Sequence, residues 1–291
     1  MLEYTLLAGL LFGLYFSLVA LGLNLVFGVM RLINLAHGDF LMLGAFLAYG
    51  LYTLAGVNPL YAVPAELAAF VVLGYALYYV VAPRLLASRD PEMLSFILFF
   101  GLSQVIEALA VIAFGNNQRS IPATVFGDAP LSLLGETFPA AWVVSGAVSV
   151  AAILLVYLYL YRSRLGRATR AVMASRDEAA STGINVHRVS AVALGVGLAL
   201  AAVAGAFSPF MLGSIEPDMG VRVTTVSFAV IIIGSLGNPL GTVLGGLVYG
   251  LGLMFMETYF SSWANLLPYV LLIVILLIRP SGLLGRRVRL A

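Results

Sequence analysis

Nine apolar stretches, separated by charged or turn-forming residues, constrain the fold of this chain more than any other feature. A helix needs about 20 mostly apolar residues to cross the hydrocarbon core of a bilayer. Most of the stretches reach that length, so they predict an all-α, polytopic transmembrane helix bundle of about 8–9 membrane segments in a single transmembrane domain, 1–291. The stretches are 5–30, 38–56, 60–82, 93–114, 140–161, 190–210, 222–235, 240–256 and 264–278.

Composition supports this class. Of the 291 residues, 62% are hydrophobic and 10% are charged, whereas a soluble domain carries about 25% charged residues. A soluble core cannot bury this much apolar surface without leaving large exposed patches. The N-terminus has neither a basic segment nor a small-residue cleavage site, so we interpret 5–30 as a retained span rather than a signal peptide.

The segments 222–235 and 240–256 are shorter than the others, and a Gly- and Pro-containing stretch separates them. Two interpretations are open. The segments are two tilted short spans, or they are two half-helices that meet inside the membrane. In both cases the chain leaves and returns on the same side, so the topology of the remaining spans does not change.

All 15 basic residues are arginines, and their distribution predicts an orientation. Cytoplasmic loops carry more Lys and Arg than the opposite loops do. With the N-terminus outside, 13 of the 15 arginines fall on the inner side, and only Arg119 and Arg222 fall outside. We therefore expect an N-out, C-in topology. The inner set is Arg31, Arg84, Arg89, Arg162, Arg164, Arg167, Arg170, Arg176, Arg188, Arg279, Arg286, Arg287 and Arg289.

Two connections between spans are long. The outer loop 115–139 is polar and rich in turn residues, whereas the inner loop 162–189 alternates Arg with Ala, which are good helix formers. The inner loop predicts a short cytoplasmic helix over 167–181 that ends at Gly183. Three functions are open for it: binding of anionic membrane lipid, a solvated loop that only sets the topology, or docking of a soluble partner.

The chain has no cysteine and only two histidines, so thiolate chemistry and a metal site made of protein ligands are not expected. No phosphate-binding loop and no protease or hydrolase motif is present. We expect no enzymatic activity, no cofactor and no nucleic-acid partner. A solute moved against its gradient would then take its energy from an ion gradient or from an ATPase partner.

Two carboxyl groups lie within predicted spans, and a buried ionisable group in a membrane is a functional candidate. Glu66 is close to the outer end of its segment, which favours a position near the lipid headgroups. Glu107 lies deeper, together with Gln104. These two side chains belong to a transport pathway, or they form a hydrogen bond to a neighbouring helix.

Polar and glycine residues also interrupt the apolar pattern at 24–40 and again at 234–241. Such interruptions in corresponding places of two halves indicate a transport pathway, although ordinary inner-side turns would show the same residues. The candidate pathway residues here are Asn24, Gly28, Asn34, His37, Asp39, Gly237, Asn238 and Pro239.

Four stretches, in order along nearly the whole chain, resemble the bacterial ABC-transporter permeases for branched-chain amino acids. They are Ala20-Leu-Gly-Leu-Asn-Leu-Val-Phe-Gly-Val-Met-Arg-Leu-Ile-Asn-Leu-Ala-His-Gly-Asp-Phe-Leu-Met-Leu-Gly-Ala45, the Arg-rich 166–189, Gly234-Ser-Leu-Gly-Asn-Pro-Leu-Gly241, and Arg279-Pro-Ser-Gly-Leu-Leu-Gly285. The resemblance implies an importer in the bacterial inner membrane. Two permease subunits, the second one a paralogue, would form the pathway. Two ATPase subunits and an extracytoplasmic substrate-binding protein would complete it.

The resemblance also implies that the cytoplasmic helix docks on the ATPase. In permeases of binding-protein importers this coupling helix carries Glu-Ala-Ala, three residues and Gly. Here only two residues separate Glu178-Ala179-Ala180 from Gly183, or Asp177 takes the acidic position with the standard spacing. The implied docking residues are Arg167, Arg170, Arg176, Asp177, Glu178, Ala179 and Gly183.

Alternatives remain for the solute and the energy source. Relatives of this family also carry urea, short amides or other amino acids. A stand-alone ion-coupled carrier or channel is a different class, and it would transport without any ATPase.

Overall fold

The computed structural model describes residues 1–285, so Arg286, Arg287 and Arg289 of the predicted inner set lie outside the described residues. The described part is almost entirely helical, as the apolar pattern predicts. The helices are α1 (Leu2–Met30), α2 (His37–Ala55), α3 (Pro59–Leu86), α4 (Pro91–Phe114), α5 (Ala140–Arg162), α6 (Arg164–Ala174), α7 (Arg176–Ser181), α8 (Val186–Met211), α9 (Met219–Gly234), α10 (Pro239–Tyr259) and α11 (Leu267–Ile278). A hairpin of β1 (Leu131–Leu133) and β2 (Glu136–Phe138) lies before α5, and single 3₁₀ turns cover Ala123–Phe126 and Ser261–Leu266.

Helices α1 and α8 form the centre of the bundle. Both are apolar on all sides, which is typical of a helix surrounded by protein or lipid. α1 packs against α5, α8 and α10, and α8 packs against α2 and α3. Eight helices of the described chain are long and apolar enough to cross a membrane, with the last of them running over Ser261–Ile278. The predicted polytopic, all-α membrane bundle is therefore confirmed.

The short segments differ from each other. α9 has 16 residues, which is less than the roughly 20 needed for a full crossing, whereas α10 has 21. The two helices pack side by side through glycines, because Gly234 and Gly245 leave room for the backbone of the opposite helix. A pair of half-helices does not describe this hairpin, since α10 is a full-length span.

Loops that the arginine pattern assigns to one side lie together. We call this end of the bundle the arginine-rich end. It holds the end of α1, the α3–α4 and α9–α10 turns, α6 and α7, and residues 279–285. Gly28 packs against Gly237 there, and Leu283 N donates to the Ile233 carbonyl at 2.8 Å.

The opposite end, which we call the hairpin end, carries the β-hairpin and the remaining loops. Tyr4 stacks on Phe138 with ring centroids 4.9 Å apart. Asn58 Nδ2 donates to the Val125 carbonyl at 2.8 Å. The loop after α4 and the loop after α8 pair through the backbones of Arg119 and Ile215. The separation of the two sets of loops follows the alternation expected from sequence.

The single helix predicted over 167–181 is wrong in one respect, because the structure breaks it at Ser175. The backbone of Ser175 is extended, and its hydroxyl accepts a hydrogen bond from Glu178 N, so the residue ends α6 and caps α7. The predicted end is as expected. Gly183 has a φ of +84°, and its N–H and that of Ile184 close the α7 carbonyls in the pattern that ends helices at glycine.

Close helix contacts provide a stability test. A Cβ at Gly44 of α2 would overlap the backbone of Ala202 on α8, whereas a Cβ at Gly50 of the same helix meets no atom within 4 Å. We expect Gly44→Val to lower the free energy of unfolding by about 1–3 kcal/mol, the usual cost of overpacking. Gly50→Val is the matched control. Thermal unfolding in detergent measures both, and equal midpoints would contradict the packing.

Candidate functional site

The chain re-enters the bundle between α1 and α2. Arg31 ends α1 in the left-handed conformation, with a φ of 55°, and residues 32–36 are not helical. His37, the first residue of α2, donates from Nε2 to the Val19 carbonyl at 2.8 Å. Val19 precedes Met30, the last residue of α1, by eleven residues, or roughly 16 Å along the helix at 1.5 Å per residue. α2 therefore begins near the middle of the membrane, and an inner-side turn does not describe this stretch.

Side chains from α9 and α4 hold the re-entrant backbone. Thr224 Oγ1 accepts from Gly38 N at 2.8 Å and donates to the Leu35 carbonyl at 3.1 Å. Ser95 Oγ accepts from Ile33 N at 3.0 Å. Non-helical backbone at membrane depth is tolerated only where its polar groups are satisfied within protein or by water. The Thr224 and Ser95 hydroxyl groups provide these hydrogen-bond partners, and so they fix where α2 begins.

Three predicted pathway residues at the start of α2 have buried polar atoms without hydrogen-bond partners among the described residues. Asn34, His37 and Asp39 are fully buried. Asn34 Nδ2, His37 Nδ1 and both Asp39 carboxyl oxygens have no hydrogen-bond partner among the described residues. Leaving a buried polar group unpaired costs about 1–3 kcal/mol, and more if the group is charged. Such groups are kept where they have a function.

Asp39 lies where two helices begin. It is in the first turn of α2, and its carboxyl group packs against Gly220 in the first turn of α9. Helix N-termini favour negative charge, because their free N–H groups point outward. On the other side, the polar side chains of Ser103 and Glu107 on α4 lie near the Asp39 carboxyl group. Glu107 is half-buried, and Gln104 on the same helix is exposed.

The predicted pathway residues of α1 and of the α9–α10 turn form a separate contact at the arginine-rich end. Asn24 Oδ1 accepts from Gly237 N at 2.6 Å, and Asn24 Nδ2 donates to the Thr242 hydroxyl. A Cβ at Gly28 would lie 2.5 Å from Met173 Cε and 3.2 Å from Gly237 Cα, so a larger residue fits poorly here. The structure thus divides the predicted set in two. The residues after Arg31 line the interior, whereas those of the α9–α10 turn connect it to α1.

Asn238 and Pro239 complete the turn. Asn238 Oδ1 accepts from Gly241 N at 3.2 Å, which caps α10, and Pro239 occupies the first helical position. Both residues have a structural function at this place.

Glu66 is more buried than its position near a helix end suggests. It lies seven residues after Pro59, the first residue of α3, but it is fully buried inside the bundle, and neither carboxyl oxygen has a hydrogen-bond partner among the described residues. Sequence also missed Ser95, Ser103 and Thr224. A hydroxyl in an apolar helix usually bonds its own backbone, so only the tertiary contacts single these residues out.

The predicted docking residues differ in accessibility. Arg167, Asp177 and Glu178 are exposed, whereas Ala179 is buried under α7. The Arg170 side chain is held against the end of α5. Its Nε donates to the Leu160 carbonyl at 3.0 Å, and its guanidinium lies 4.5 Å from the centroid of the Tyr161 ring.

Arg176 is half-buried beside α3 and α4. It lines a cavity of about 660 Å³ at the arginine-rich end, together with Arg31, Arg89, Asp90 and Glu92. α7 therefore touches the turns of the bundle through Arg176 and presents its acidic residues outward.

A second cavity of about 430 Å³ opens at the hairpin end, between α1, α9 and α10. Phe12, Phe16 and Leu253 give it an apolar wall, and Glu216 and Arg222 form an ion pair at its rim. The Ser214 hydroxyl, and after it Arg222, donate hydrogen bonds that hold the pKa of Glu216 below its usual value.

Thr224 offers a test of the re-entrant segment. Thr224→Val keeps the shape of the side chain but leaves Gly38 N and the Leu35 carbonyl unpaired, so we expect a loss of about 1–3 kcal/mol in the free energy of unfolding. Thr225→Val is the control, since Thr225 bonds only the Val221 carbonyl of its own helix. Thermal unfolding in detergent measures both variants. If the Thr225 variant loses as much, Thr224 does not hold the segment.

Comparisons with known proteins agree with this architecture. Residues 5–276 match the family model described as the branched-chain amino acid transport system / permease component. The chain is 30% identical to the high-affinity branched-chain amino acid transport system permease protein BraD of Pseudomonas aeruginosa, over 96% of this chain and 94% of that protein. It is 27% identical to the permease protein LivH of Escherichia coli, over the same shares.

The chain is 28% identical to the probable branched-chain amino acid transport permease protein LivH of Methanocaldococcus jannaschii, over 92% of this chain and 88% of that protein. No solved structure matches. The family model covers nearly the whole bundle, including the re-entrant start of α2, the α6–α7 segment and the α9–α10 turn. The chain therefore belongs to the permease-component family of the branched-chain amino acid transport system.

Proposed function

We propose that this chain forms the transmembrane pathway of a binding-protein-dependent importer for branched-chain amino acids, in the cell membrane and driven by partner ATPase subunits. The observation that carries the proposal is the likeness to BraD, which extends over 96% of the chain. The mid-depth cluster of Asn34, His37 and Asp39 supports it, because buried polar groups with free hydrogen-bonding capacity suit a polar solute crossing the membrane.

The chemistry of this cluster suits an amino acid. A zwitterion offers an ammonium group, which the carboxyl groups of Asp39 and Glu107 would attract, and a carboxylate, which the N-termini of α2 and α9 favour. Urea and short amides carry neither charge and would gain little from these groups.

The arginine pattern supports an orientation of the chain in the membrane. If the positive-inside rule applies, the arginine-rich end faces the cytoplasm, because ten of the twelve described arginines belong to it. The N-terminus is then outside, and residues 279–285 are inside. The hairpin end, with the cavity between α1, α9 and α10, would meet the substrate-binding protein.

The α6–α7 segment would couple the pathway to the ATPase. Arg167, Asp177 and Glu178 project from it into solvent. α7 is joined to α8 by only four residues, 182–185, and α8 packs directly on α2. A push on α7 therefore reaches the helix whose first turn carries Asp39. Two ATPase subunits and a second, paralogous permease complete the proposed machine.

Reconstitution tests the function. Proteoliposomes that contain this chain, the second permease, the ATPase subunits and the binding protein are expected to take up labelled isoleucine when ATP is supplied. Labelled urea and vesicles without the ATPase subunits are the controls, and neither should show uptake. Transport by this chain alone, driven by an ion gradient, would identify a stand-alone carrier instead. Preferential uptake of urea would contradict the substrate class.

Charge reversal tests the docking surface. Asp177→Lys combined with Glu178→Lys changes two exposed side chains of α7 without touching the buried face, so the protein should fold normally and the ATPase should co-purify at least tenfold less. Asp128→Lys, in an exposed loop at the hairpin end, is the matched control. ATPase recovered in wild-type amount with the double variant would place the docking surface elsewhere.

A further inference from the structure

Helix α4 lies at the edge of the bundle. It packs lightly against α2, α3 and α9, and a single line of its residues is buried, namely Ser95, Phe99, Ser103, Ile106 and Ala110. Most of the helix circumference is therefore open to whatever surrounds the chain in the membrane.

One open position of α4 carries an amide. Gln104 is exposed, thirteen residues after Pro91 and ten before Phe114, or roughly 15–20 Å from either end of the helix. Within residues 1–285, it is the one exposed amide or charged side chain that lies ten residues or more from both ends of a membrane-spanning helix. Lipid chains offer an amide no hydrogen-bond partner at that depth.

Small residues border Gln104 on one side of the open surface of α4, and the exposed Phe100 borders it on the other. Gly101, Gln104 and Ala108 follow helical spacing and form a small and polar stripe, and a Cβ at Gly101 would meet no atom within 4 Å. Val105, Leu109 and Ile112 form an apolar stripe beside it. The apolar stripe suits lipid. Small residues next to a polar one are typical of helix–helix contacts inside membranes.

The polar stripe is continuous with the interior cluster. Glu107 is half-buried at the edge of the stripe. Together with Ser103 it lies near the buried carboxyl group of Asp39. Polar groups thus run from the mid-depth start of α2 to the lateral surface of the chain. A membrane-spanning pathway would be incomplete on this side without a second wall.

We propose that the stripe Gly101–Gln104–Ala108 is the surface on which the second permease subunit packs, and that Glu107 faces the water-filled pathway enclosed between the two subunits. The depth of the stripe decides the partner, since neither a soluble ATPase nor a soluble binding protein reaches the middle of the bilayer. The inference rests on the proposed function, and it names the surface that closes the pathway.

Photo-crosslinking in the assembled importer tests the interface. Gln104→p-benzoylphenylalanine is expected to give an adduct of this chain with the second permease, identified by mass spectrometry of the product. Leu109→p-benzoylphenylalanine, on the apolar stripe, is the matched control and should give no permease adduct. The absence of a permease adduct from position 104, or equal yields from the two positions, would overturn the proposal.

Water access tests the pathway wall with smaller substitutions. The chain has no cysteine, so Glu107→Cys and Leu109→Cys each introduce a single thiol. In the assembled importer a membrane-impermeant thiol reagent should label position 107 at least tenfold faster than position 109. Equal rates would overturn the pathway assignment. ATP-dependent isoleucine uptake by the unsubstituted complex separates the interface proposal from the proposed function. If uptake occurs but neither the crosslink nor the faster labelling is seen, the interface proposal is wrong and the proposed function stands.

Discussion

The position at which α2 begins is the constraint on which the rest of the structure depends. A bilayer supplies no water to a broken helix, so every exposed N–H and carbonyl of residues 32–36 needs a partner within the protein. Thr224 provides two hydrogen bonds to this backbone, and the His37–Val19 hydrogen bond sets its depth. The same arrangement brings the first turns of α2 and α9 together beside Asp39. A polar site in the middle of the membrane is thus a consequence of how one helix interruption is satisfied.

Glycine contacts explain how this site is connected to the arginine-rich end. α8 lies between α1, α2 and α3, and Gly195, Gly197 and Gly205 let it approach their backbones directly. Helices in such close contact move as units, because the interface has no long side chains that could absorb a displacement. α7 stands four residues before α8. Movement imposed on the outward face of α7 is therefore passed to the helices that hold the polar cluster, and ATP-driven partners would act through this connection.

Much of the fold follows from the sequence, because hydropathy and arginine placement report directly on spans and on the grouping of loops. The Gly183 helix end was also predictable, since few residues tolerate its positive φ. The break at Ser175 was not, because a serine within an Ala- and Arg-rich segment is compatible with one helix until the cap is seen. The depth of Asn34, His37 and Asp39 was hidden for a related reason: a polar interruption looks the same whether it lies at the membrane surface or 16 Å inside, as estimated from the helical rise. Glu66 shows the limit most clearly, since its complete burial depends on how α3 packs against the bundle.

The central claim is that the mid-depth cluster around Asp39 binds the solute, while the ATPase acts on the chain at the arginine-rich end. The most direct measurement is ATP-dependent isoleucine uptake by the complete importer carrying Asp39→Asn. The control is Asp128→Asn, in an exposed loop outside both the cluster and the cavity of α1, α9 and α10. Loss of a hydrogen bond to a charged group costs about 1.5–3 kcal/mol, so we expect uptake to fall about tenfold or more while the ATPase still co-purifies. Wild-type uptake by an assembled Asp39→Asn importer would contradict this account.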